Sequence, residues 1–170
     1  AMDATRHLVA YGHKDIAVIT GDMDTTSSRD RLEGFRGAMS QAGLTCDDDL
    51  IICSDYTLAG GEVAAESLLL RKNRPTAIFC FSDDIALGCM YTLRQHGFKV
   101  PDDISVMGFD NIPVAKYITP PLTTIAQPTA EIGSACAKIL LDLIENKKPE
   151  TSRILLPHEV LIRESTRRLT

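Results

Sequence analysis

The chain has 170 residues, 44% of them hydrophobic and 24% charged, which is enough for one domain with a sizeable core. A net charge of −5 and a pI near 5.3 lack the basic footprint of a nucleic-acid surface, and no apolar run reaches bilayer-spanning length. The five cysteines (Cys46, Cys53, Cys80, Cys89, Cys136) show neither metal nor redox spacing, so the expectation is a reduced, cytoplasmic protein with no metal, no cofactor and no membrane partner.

The chain opens on "AMDATRHLVAYGH", with Ala1, Ala4, Leu8 and Val9 at helical spacing but no capping residue ahead of them. A helix that begins uncapped suggests a piece of a longer protein. Four continuous apolar runs follow, each bounded by turn residues: "IAVITG" from Ile16, "LIICS" from Leu50, "TAIFCF" from Thr76 and "ISVMGF" from Ile104. Continuous rather than alternating runs predict strands covered on both faces. Between them the spacing predicts helices over Ser27–Gln41, Thr57–Leu70 and Asp84–His96, with Gly43 and Gly97 as left-handed stops. The alternation predicts an α/β fold with a doubly wound parallel sheet and right-handed crossovers. After Asp110 the rhythm breaks. "LTTIAQ" is β-prone, Pro128 can start a helix, and Thr129–Lys148 carries an apolar stripe of Ile132, Cys136, Ile139, Leu140 and Leu143. "RILLP" and "EVLIRES" read as two short closing strands.

Open parallel sheets bind ligands beyond the carboxyl ends of their strands. That rule selects the segment containing Arg31 after the first strand, Ser54–Tyr56 after the second, Ser82–Asp84 after the third and Asp110 after the fourth. Hydroxyls, carboxylates, one aromatic ring and an arginine suit a neutral, hydroxyl-rich ligand. Plainer readings stand beside these. Ser82 or Asp83 can simply cap the next helix, the preferred reading for Asp83. Arg31 can be a solvated helix arginine, and Tyr56 a loop aromatic on the rim. Asp110 is the hardest to dismiss, because a carboxylate ending a buried strand needs partners. There is no nucleophile elbow, P-loop or dinucleotide fingerprint, and the acidic pair of a phospho-receiver domain is on the wrong strand.

"GHKDIAVITG", "SRDRLEGF", "RPTAIFCFSDDIALG", "VPDDISVMGFDNI", "PPLTTIAQP" and "LIRESTR" occur in an order that resembles the lactose-repressor (LacI/GalR) family along nearly the whole chain. Within it, "CFSDDIALG", "GFDNI" and "PPLTTIAQP" followed by "EIG" are most similar to the cytidine-repressor branch. The resemblance implies a periplasmic-binding-protein-like core of two subdomains in a homodimeric repressor. Its effector is a nucleoside such as cytidine, or a sugar, and operator DNA is held by a helix-turn-helix not in this chain. It implies ligand-binding roles for Arg31, Tyr56, Ser82, Asp110 and Gln127, with Ser82 standing where many sugar binders carry asparagine. It implies a dimer surface at Leu87, Met90 and Ile118. By the same resemblance, residues 1–121 form the C-terminal subdomain. Residues 122–157 supply a crossover strand, helix and strand to the N-terminal subdomain, and 158–170 return. The rival is a periplasmic sugar-binding protein of the same fold. A third reading, an acid–base enzyme using Asp110 and Arg31, requires turnover of a riboside.

Overall fold

A computed structural model describes residues 1–72, 74–147 and 153–169. The expected alternation is present. Helix α1 (Met2–Ala10) leads into β1 (Ile16–Ile19), α2 (Thr26–Gln41), β2 (Ile51–Ile52) and α3 (Leu58–Leu69). Strand β3 (Ala77–Cys80), α4 (Asp83–Gln95), β4 (Ser105–Asp110) and β5 (Thr123–Ala126) follow, then α5 (Thr129–Ile144) and β6 (Glu159–Leu161). The six strands form one sheet in the order β2-β1-β3-β4-β5-β6. The first five are parallel, and β6 runs antiparallel to β5 along one edge.

Burial on both faces explains the continuous apolar runs. In β1, Ile16 and Val18 pack with Leu8, Phe35 and Met39 of α1 and α2. Ala17 and Ile19 pack on the opposite side with Ala64, Leu68 and Ile85 of α3 and α4. Strand β3 repeats the pattern, with Ala77 and Phe79 on one face and Ile78 and Cys80 on the other. With α1 and α2 on one face and α3 and α4 on the other, the sheet is doubly wound. The chain therefore turns in opposite directions from β1 toward β2 and β3, the kind of switch point where ligands bind.

Several expectations need correction. Only Ile51 and Ile52 of "LIICS" join the ladder, at an edge where β1 is the sole neighbour. Residues Arg153–Pro157 of "RILLP" form no strand, because no neighbouring edge is paired with them; β5 is taken by β4 and β6. The first turn of α4 is capped by Ser82, whose Oγ accepts the Ile85 N–H at 3.2 Å, and Asp83 is not the cap. Just beyond residue 121, Thr123–Ala126 pairs with Met107–Asp110, so β5 is hydrogen-bonded to the strand before it. Helix α5 ends at Ile144, and residues 148–152 of the expected helix and crossing segment lie outside the described residues. No residue of α5 is buried: Ile132 is 37%, Leu140 59% and Leu143 54% exposed, so among the described residues its apolar stripe is left largely uncovered.

Candidate effector site

The parallel strands bring their carboxyl ends to one edge, and there the expected residues separate into groups. Arg31 comes from α2, whose first turn is capped by Thr25 accepting the Ser28 N–H at 3.2 Å. Its guanidinium is held on three sides. One Nη donates to the carbonyl of Phe81 at the end of β3, and the Phe109 ring of β4 lies 3.9 Å from Cζ. The other Nη stands 3.9 Å from Asp110 Oδ1. That last distance is Coulombic contact rather than a hydrogen bond. The side chains of Arg31 and Asp110 keep 17% and 32% of their surfaces exposed, so both are reachable from outside. Gln127, the first residue beyond β5, donates from Nε2 to Asp110 Oδ1. Arg31, Asp110 and Gln127 thus converge over the ends of β3, β4 and β5.

Burial pushes the Asp110 carboxyl above its ordinary range, with Arg31 and the Gln127 hydrogen bond pulling the other way and Asp84 adding to the rise. Asp110 and Asn111 both have positive φ, at +112° and +55°, so the carboxylate is aimed by a turn that non-glycine residues rarely adopt.

Tyr56 stands apart from that trio, over the end of β1. Its φ is +65°, and its ring lies against Gly21, where a Cβ would fall inside the ring. Its hydroxyl is 2.7 Å from Ser28 Oγ, linking the β2 end to α2. Ser82 is not turned outward: it is 5% exposed and its hydroxyl is committed to the α4 cap. Two groups have surroundings that the sequence does not give: Asp83 reads there only as a helix cap, and Arg163 is not singled out. Asp83 is buried beneath the Asp110 turn, and Arg163 grips Asn111 Oδ1 at 2.7 Å. The glycine in "VMGF" was the available signal, since a glycine inside a buried strand marks close approach of another group; Gly108 faces the Asp83 carboxylate.

A groove of about 600 Å³ lies elsewhere, lined by Leu87, Met90, Phe98 and Ile118 among others. The three residues expected at a dimer surface therefore line one concavity. A smaller hollow of about 280 Å³ adjoins the candidate site, between Phe109, Gln127 and Ile132. No group of residues arranged to hold a metal ion occurs among the described residues, and no helix there is long and apolar enough to cross a membrane.

The profile of the periplasmic binding protein-like domain matches residues 5–166. The chain belongs to that family. Its relatives place it with the effector-binding domains of LacI-family transcriptional regulators. It is 40% identical over 166 residues to the HTH-type transcriptional repressor PurR of Vibrio campbellii, covering 98% of this chain and 50% of that protein. It is 38% identical over 162 residues to the ribose operon repressor of Haemophilus influenzae, covering 95% of this chain and 49% of the relative. The structure of a LacI transcriptional regulator from Bacillus cereus subsp. cytotoxis superposes with a TM-score of 0.96 at 32% identity, over 99% of this chain and 60% of that one. The chain spans about half the length of the curated relatives it matches.

Proposed function

We propose that this chain is the effector-binding and dimer-forming part of a cytoplasmic LacI-type transcriptional repressor, and not an enzyme. The observation that carries the reading is the convergence of Arg31, Asp110 and Gln127 beyond the strand ends. With Oδ1 engaged by Gln127, the second Asp110 oxygen is the acceptor offered to a ligand hydroxyl, and Arg31 supplies donors beside it. Tyr56, backed by Gly21, presents a flat face to a sugar or base ring. Ser82 shapes the wall from behind through the α4 cap. This set suits a nucleoside or a sugar. Similarity to a ribose operon repressor supports a hydroxyl-rich ligand, and the wording of "CFSDDIALG", "GFDNI" and "PPLTTIAQP" favours cytidine as the first to try.

In this reading residues 1–121 with β5 form one lobe. Helix α5 belongs to a second lobe contributed by chain outside these 170 residues, and operator DNA is held by a helix-turn-helix also outside them. The groove at Leu87, Met90 and Ile118 is the homodimer surface. Ligand bound between the lobes favours one of two arrangements, and DNA affinity changes by the difference in ligand affinity between them. Relatives that are transcriptional repressors favour a regulator over a transport protein of the same fold. Calorimetry of the full-length protein against nucleosides, nucleobases and sugars tests this. One riboside or sugar should bind and alter operator affinity; no heat from any of them, with operator affinity indifferent to all, would remove the reading.

A further inference from the structure

Asp83 is fully withdrawn from solvent in the first turn of α4, and neither the helix cap nor the effector reading uses it. Its Oδ1 accepts from Thr124 Oγ1 at 2.6 Å, and its Oδ2 accepts the backbone N–H of Ile112 at 2.8 Å. Thr124 lies in β5, and Ile112 is two residues past Asp110. Gly108 of β4 makes room for the carboxylate: a Cβ there would overlap Oδ1 and come within 2.8 Å of Leu122 Cδ2.

Between these anchors lies the turn with two successive positive φ angles, at Asp110 and Asn111. Non-glycine residues hold such angles only where their surroundings over-determine them. The surroundings here are specific. Arg163 grips the turn from the other side, with Nη2 donating to Asn111 Oδ1 at 2.7 Å and Nη1 to the Leu122 carbonyl at 2.7 Å. Asp83 fixes its far end at the Ile112 amide. Burial raises the Asp83 carboxyl pKa to about 6, and a group buried in this way needs satisfied partners; Ile112 and Thr124 supply close ones, and the Phe109 backbone contributes as well.

We infer that Asp83 is a positioning residue for the effector site, holding the Asp110–Ile112 turn so that the Asp110 carboxyl faces Arg31 and Gln127. What the site binds rests on the function proposed above; the anchoring needs no ligand. Asparagine can do the same work, because its Oδ1 can accept from Ile112 while its Nδ2 donates to the Thr124 hydroxyl, which serves in either role. Alanine can do neither.

Backbone amide exchange, followed by NMR on the 170-residue chain, separates positioning from packing. Asp83→Ala should speed exchange at Ile112 by roughly tenfold or more relative to the core amides of Phe79 and Val106. Asp83→Asn should leave Ile112 near its original rate. Thr124→Val, which removes the other bond to the same carboxylate, should lower the melting temperature yet leave Ile112 protected. Exchange at Ile112 that merely follows the core amides in Asp83→Ala would overturn the inference, as would an Asn variant that releases the turn as fully as Ala. Should Asp83→Ala not fold, Asp83→Ser, whose hydroxyl is too short to reach the Ile112 amide, takes its place, and Ile112 exchange that only follows the core amides there has the same consequence. A failure of the effector reading would appear in the calorimetry and not in this exchange pattern, so the two failures are distinguishable.

Discussion

Replacing Gly108 by alanine tests the packing beneath the candidate site with a single methyl group. The added Cβ would overlap Asp83 Oδ1 and stand 2.8 Å from Leu122 Cδ2, well inside van der Waals contact. Asp83 cannot swing away without surrendering the Thr124 hydrogen bond, because both its oxygens are engaged. A hydrogen bond to a charged group contributes about 1.5–3 kcal/mol. Crowding a fully buried Leu122 costs about 1–3 kcal/mol more. Against this, alanine recovers about 0.5–1 kcal/mol of backbone entropy in a strand. The net expectation is a destabilisation of about 1.5–5.5 kcal/mol, which for a chain of this size lowers the melting temperature by roughly 3–20 °C. Urea denaturation gives the free energy and calorimetry the temperature. The diagnostic is a double-mutant cycle: in an Asp83→Ala background the Gly108→Ala penalty should shrink by about 1.5 kcal/mol or more, since the obstructing carboxylate is gone. A neutral Gly108→Ala, or one whose cost simply adds to that of Asp83→Ala, would refute the placement of Asp83 against β4.

The folded protein holds the Asp83 proton to about pH 6 while the unfolded chain releases it near 3.8. Between those values the folded state binds more protons, so this group favours folding at low pH, and the contribution is lost as pH rises through about 6. Asp83→Asn should therefore gain on the original protein by up to about 3 kcal/mol on going from pH 4 to pH 7.5; a difference between the two that does not vary with pH would contradict the burial argument. The exposed stripe of α5 forgoes roughly 1.5–3 kcal/mol for each large side chain left in water. The isolated 170-residue chain should accordingly self-associate in light scattering, and Leu140→Lys with Leu143→Lys should weaken that association; a strict monomer with α5 ordered would show the argument wrong.

The parts of the fold legible in sequence were those set by local burial. Runs such as "IAVITG" and "TAIFCF" are continuous because Ile16 and Ala17, or Phe79 and Cys80, face different helix layers. The apolar stripe of α5 was equally plain, because a 3.6-residue period shows itself whether or not a partner is present. "RILLP" misled for the converse reason: its composition suits a strand, but a strand needs an edge to pair with, and pairing is not a local property. Arg31 and Asp110 could be picked out because the strand-end rule needs only the order of elements. Ser82 and Asp83 were harder to separate, since both can cap a helix. What Asp83 does instead depends on Thr124 and Ile112, which are 41 and 29 residues away. The turn it anchors, with positive φ at two non-glycine residues, left no mark in composition.

In the proposed effector site, ligand is held at Asp110. The most direct measurement is calorimetric titration of full-length Asp110→Ala with whichever nucleoside or sugar the unaltered protein binds. Removing the carboxylate takes away the charged acceptor for a ligand hydroxyl, so affinity should fall by about 1.5–3 kcal/mol, on the order of 10- to 150-fold in Kd. An Asp110→Ala protein that folds normally and binds that ligand with unchanged affinity would contradict the account.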